Sequence, residues 1–135
     1  MSSEFVYRME DVLDLYAELS DPQRPVVCFD ERLYQLISET REAIPAKPEQ
    51  RERYDFEYKR EGTCNLFMFF APGHGWRHVK VTDRRTTQDF AQCMKDLVDI
   101  HFPDVEIIRV VLDNLNTHTP AALYEAFEPT EARRI

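Results

Sequence analysis

The chain has 135 residues, 43% hydrophobic and 31% charged, with 17 basic against 25 acidic side chains and a net charge of −8. That length suits one domain able to bury most of its unfolded surface, and no apolar run approaches the roughly 20 residues a membrane span needs. The acidic balance counts against a free-standing nucleic-acid-binding module, which leaves a basic footprint, but not against a catalytic domain whose grip on nucleic acid lies elsewhere.

In chain order, Phe5, Met9, Val12, Leu13 and Tyr16 recur at helical spacing between charged residues, with Ser2 or Ser3 placed to cap. This predicts a short amphipathic helix, read equally as a cover for a sheet edge or as a connector to a preceding domain. Residues 1–21 form this helix and its linker, and residues 22–135 the main domain. Asp21-Pro22 and Pro25 stiffen the link into Val26-Val27-Cys28-Phe29-Asp30-Glu31, an apolar strand that delivers two acids. Leu33 to Ile37 continues that strand past a bend. From Ser38 to Arg53 the charged, proline-containing chain reads as an exposed loop, with Arg41, Lys47, Arg51 and Arg53 either solvated or touching phosphate.

Tyr54 to Tyr58 alternates aromatic and acidic residues, as a half-buried strand does, and Lys59-Arg60-Glu61-Gly62 is the expected turn into an apolar strand over Thr63 to Phe70. Ala71 to Gly75 is a second turn. Trp76 to Thr82 then alternates like an antiparallel strand with one polar face. His74 and His78 are too weakly spaced across that turn to read as a metal pair. Thr86, with Asp89 three residues on, opens a helix lined by Phe90, Cys93, Met94, Leu97, Val98 and His101, and Pro103 stops it. Ile107 to Leu112 reads as a strand buried on both faces that ends in Asp113. Thr119 caps a last helix through Leu123, Tyr124 and Phe127, and Glu131 to Ile135 begins a further segment. Cys28, Cys64 and Cys93 lack paired spacing and are expected as free, buried thiols in a cytoplasmic protein.

The order strand, strand, strand, helix, strand, helix predicts an α/β mixed sheet, three antiparallel strands followed by a crossover helix and a parallel strand. Ligands bind such open sheets at the strand ends. Asp30 and Asp113 are the two acids delivered there. Two adjacent carboxylates repel, and a hard divalent cation, Mg²⁺ or Mn²⁺, relieves the repulsion. Two ions of that kind support phosphoryl transfer, but they normally want a third carboxylate.

The segments CFDE at 28–31, YDFEYKREGTCNLFMFFAP at 54–72, GWRHVKVTDRRTTQDFA at 75–91 and VVLDNLNTHTPAALYEAF at 110–127, with FVYRMEDVLDLYAE near the start, resemble the bacterial insertion-sequence transposases of the mariner-like superfamily. The resemblance covers nearly the whole chain. It implies an RNase H-like fold with an aspartate–aspartate–acid triad, in which Asp30 matches the first aspartate and Asp113 the second. It further implies metal-dependent hydrolysis of a phosphodiester at the transposon end, then strand transfer into target DNA. Asn114, Asn116 and His118 match the motif around the second aspartate, where they orient the loop, meet substrate or serve the fold, and Glu31 supports the first. The family's upstream helix-turn-helix has no counterpart here, and the strand and helix bearing its third carboxylate lie beyond the point where this sequence stops. Glu125, Glu128 and Glu131 precede that position. The sheet is therefore expected to be incomplete at its C-terminal end, and the isolated chain to cut DNA weakly or not at all. Two roles follow from the resemblance: a catalytic domain completed by a missing segment, or an inactive remnant that associates with an intact transposase. A separate RNase H-like nuclease is a weaker third reading.

Overall fold

The computed structural model describes residues 1–39, 48, 58–84, 86–113 and 118–135. Helix α1 (Ser3–Ala17) starts at Ser2, whose hydroxyl accepts the Phe5 N–H. Its apolar residues recur as expected, yet none is fully buried, and Phe5, Met9, Leu13 and Tyr16 stay exposed. Its polar ties to the sheet lie at its C-terminal end. There the Tyr16 hydroxyl meets Cys28 Sγ at 3.1 Å, and Glu18, just past the helix, pairs with Arg109.

Strand β1 (Val26–Glu39) runs unbroken through the bend expected after Glu31 and pairs antiparallel with β2 (Tyr58–Ala71). The turn expected at Lys59–Gly62 is a correction, because this segment is part of β2. A register shift opposite Leu36 and Ile37 absorbs the extra residue, and Gly62 takes φ 102°, a conformation open to glycine at low cost. The expected strand over Tyr54–Glu57 and the basic residues Arg41, Lys47, Arg51 and Arg53 lie outside the described residues. A short 3₁₀ turn (Pro72–His74) and Gly75 at φ 59° lead into β3 (Trp76–Thr82), antiparallel to β2.

Helix α2 (Thr87–Asp96) carries a full capping box: the Thr86 hydroxyl accepts the Asp89 N–H while the Asp89 carboxylate accepts the Thr86 N–H. It continues as a π-helical turn over Leu97–His101, closed by the Phe102 N–H on the Leu97 carbonyl. Strand β4 (Arg109–Val111) returns parallel to β1, and α3 (Ala121–Ala126) and α4 (Pro129–Arg134) complete the chain. Helix α3 begins at Pro120 without a side-chain cap, so Thr119 does not play the expected capping part.

The strand order is β3-β2-β1-β4, a mixed sheet of the α/β RNase H-like kind. Its α2 face holds the core: Val27, Phe29, Phe67, Phe69 and Ala71 pack against Phe90, Cys93, Met94, Leu97 and Ala122. One expectation fails here. Strand β4 lies at the sheet edge, so Arg109, Val110 and Val111 are only half-buried rather than sealed on both faces. Strand β3 alternates with one polar face as expected, and that face turns inward. His78, Lys80 and Thr82 are the half-buried ones, while Val79 and Val81 face out. Lys80 reaches Asp96 of α2 at 3.1 Å, and His78 packs against His101 with ring centroids 4.5 Å apart. All three cysteines are free thiols, but only Cys93 is fully buried, and burial pushes its thiol up to about 12. Among the described residues no helix is long and apolar enough to cross a membrane.

Candidate active site at the ends of two parallel strands

The parallel ladder pairs Val26 with Arg109, Val27 with Val110 and Cys28 with Val111. Asp30 and Asp113 each stand two residues beyond the last of these pairs, so both acids lie at one level on neighbouring strands, Asp113 just past the end of β4 and Asp30 not at a strand end, as expected, but within β1, which runs on beside β2. Both are exposed, with the Asp113 side chain 49% accessible. Alternation along β1 explains why Asp30 faces out while its neighbours do not: Phe29 goes into the core, and Glu31 follows on the same face with its side chain only 4% exposed.

One oxygen of each aspartate is tied to the fold. Asp30 Oδ1 accepts the backbone N–H of Glu31 at 2.8 Å, and Asp113 Oδ1 lies 2.8 Å from His118 Nδ1. A carboxylate has two oxygens and several lone pairs, so these single bonds leave acceptor capacity on both groups. The His118 ring is fully buried, stacked on Phe90 with centroids 4.7 Å apart and set edge-on to Phe29 at 5.3 Å. Among the described residues its Nε2 has no hydrogen-bond partner, and it sits 3.6 Å from Glu31 Oε2. Asp113, His118 and Glu31 are therefore brought together, and the backbone of Glu31 holds Asp30. Asn114 and Asn116 lie outside the described residues.

The donor chemistry of Asp30 and Asp113 suits a hard divalent cation, since both offer oxygen ligands open to solvent, Asp30 from within β1 and Asp113 from just past β4. Among the described residues no group of three or more His, Cys, Asp or Glu side chains is set to hold a metal. Glu131 is committed elsewhere: the Arg134 hydrogen bonds draw its carboxyl down to about 2, with Lys95 adding at 3.3 Å. His74 stands in the turn after β2 against Phe102, beside the start of β1 and away from the aspartates.

Sequence reasoning missed two members of this region. Phe90 was read as core alone, yet its ring is the platform for His118. Asn65 sits inside an apolar strand, yet it is completely buried, and among the described residues neither of its amide atoms has a partner. A polar residue in register with inward-facing Phe67 and Phe69 was the available signal.

A family model described as DDE superfamily endonuclease matches residues 25–134, which takes in both aspartates and all four strands. No curated protein and no solved structure matches the chain with significance.

Proposed function

The chain belongs to the DDE superfamily endonucleases, and on that premise we propose that it is the catalytic region of a transposase of the mariner-like insertion-sequence kind. The reaction is metal-dependent hydrolysis of a phosphodiester at a transposon end, followed by strand transfer into target DNA. The observation that carries this reading is the register of β1 and β4, which puts Asp30 and Asp113 at one level, two residues past the last parallel pair. Asp30 and Asp113 would hold Mg²⁺ or Mn²⁺ there. The bound cation would offset charge on the phosphate and favour an attacking oxygen at neutral pH. The two aspartates bind and orient, on strands whose own geometry is fixed by the Phe29, Phe67 and Phe69 core. The third acid of the site comes from outside the described residues, and DNA is gripped mainly by other parts of the complete transposase, given a net charge of −8.

Titration of the 135-residue chain with Mn²⁺, followed by thermal unfolding and by the loss of the free-ion resonance signal, tests the site. One bound ion at about 100 times its Kd adds about 2.7 kcal/mol of stability. Asp30→Asn and Asp113→Asn should each abolish that gain. A parent whose unfolding is indifferent to Mn²⁺, or variants that respond as it does, would refute the metal site.

A second role, an inactive remnant that associates with an intact transposase, is favoured by one feature. Beyond the reach of β3 and β4, β1 pairs among the described residues only with β2, and Leu33, Tyr34, Leu36 and Ile37 are exposed. Exposed apolar strand surface of this kind invites association.

A further inference from the structure

We propose that Glu31 and His118 are positioning residues that set the Asp113 carboxylate for cation binding, so that the Asp30-Glu31 dipeptide governs both aspartates. The proposal rests on the reading of Asp30 and Asp113 as cation ligands.

Asp113 stands past the last residue of β4, and its side chain is half-exposed. Left alone, an exposed carboxylate at a strand end samples several rotamers. Here one oxygen is anchored to a ring that cannot turn. His118 is sealed from solvent between the Phe90 face and the Phe29 edge, which belong to α2 and β1. Since an ionised carboxylate only accepts, Nδ1 is the ring nitrogen that carries the proton. That bond fixes the tautomer and points Nε2 at Glu31, whose carboxylate is 3.6 Å away. The separation is too long for a hydrogen bond, so the Glu31 side chain bears on the ring by packing beside it in a buried setting.

Glu31 acts on both aspartates through different groups. Its backbone N–H donates to Asp30 Oδ1 at 2.8 Å, and its side chain, turned to the opposite face, backs the ring that holds Asp113. The alternation of β1 makes this division possible: one residue presents its acid to solvent, and the next presents its acid to the interior. Supports of this sort behind a metal-binding carboxylate alter affinity by about 10- to 100-fold when removed.

Two measurements on the full chain decide the matter. Long-range proton–nitrogen correlation of the imidazoles should show a protected His118 Nδ1–H that disappears in Asp113→Ala. In Mn²⁺ titrations, His118→Gln keeps bulk but places no donor at the Nδ1 position, and it should weaken binding by about tenfold or more. His118→Asn loses the same ring stacking yet restores an N–H near Nδ1, so it should recover most of that affinity, which a purely structural role for the ring would not allow. If the His118 variants fold poorly, Glu31→Ala, which keeps the backbone N–H to Asp30 but removes the side chain packed beside the ring, should still weaken Mn²⁺ binding by about tenfold. Unchanged Mn²⁺ affinity in both His118→Gln and Glu31→Ala overturns the positioning role and leaves the cation site standing. A protected Nδ1–H in a parent that binds no Mn²⁺ upholds the Asp113–His118 link and refutes the cation reading instead. Absence of that resonance from a parent that does bind Mn²⁺ also overturns the positioning role.

Discussion

Asn65 is the residue least at ease with its surroundings. Its side chain is completely buried on the α2 face, in line with Phe67 and Phe69, and among the described residues neither its oxygen nor its nitrogen meets a protein partner. A buried amide without partners costs about 1–3 kcal/mol, while an apolar side chain of similar volume adds burial and removes the penalty. Asn65→Leu is therefore expected to be neutral or to stabilise by about 1 kcal/mol in denaturant unfolding. A loss of more than 1 kcal/mol would mean that the amide is satisfied by trapped water. The same strand shows how a single residue escapes a pattern-based reading. Thr63 to Phe70 is apolar enough to look uniform, and Asn65 is conspicuous only once the inward register is known.

At the scale of elements, α2 is the clearest case of sequence dictating structure. Thr86 and Asp89 form the expected reciprocal cap, and Phe90, Cys93, Met94 and Leu97 form the buried stripe. Thr86→Ala should cost about 1 kcal/mol, read as a lower denaturation midpoint with an unchanged slope. An effect near zero would show that packing alone fixes the helix start. The strands were less legible. Alternation in β3 gives the period but not the sign, and the polar face turns inward because Lys80 finds Asp96 and His78 finds His101. Gly62 invited a turn, but a positive φ serves a bulge equally well, and only the long pairing with β1 decides between them. The apolar run at Ile107–Leu112 marked a strand, but nothing in it told an edge from a centre. In the site, Asp30 and Asp113 were visible as acids closing apolar runs. The anchoring of Asp113 on His118 was not, because it depends on Phe90 and Phe29, which come from two other elements.

At the scale of the whole molecule, the titratable groups set between β3 and α2 with its π-helical continuation, Lys80 with Asp96 and His78 with His101, give its stability a defined response to acid. Burial, with the neighbouring His78 next, lowers the pKa of His101 below its ordinary 6.5, and Lys80 acts in the same direction while Asp96 opposes it. The unfolded chain therefore takes up a proton at this position before the folded one does. Stability is fully present above pH 6.5 and falls as pH drops from there through the folded-state value, where the loss levels off. Asp96 acts in a lower window. Burial alone would raise its carboxyl, but the hydrogen bonds from Gln92 and Lys80 outweigh burial and leave it below 3.8. Its contribution persists at pH 5 and is lost only as pH falls below 3.8 toward the folded-state value. Thermal unfolding measured from pH 8 to pH 3 should show two separate declines. His101→Gln should remove the upper one and leave the lower, while Asp96→Asn should shrink the lower, to which Glu131 also contributes, and keep the upper, at a cost in stability near neutrality. A melting temperature that stays flat between pH 7 and pH 5.5 in the parent, or a His101→Gln variant with the parent's upper decline, would show that the packing of β3 on α2 is not set by these charges.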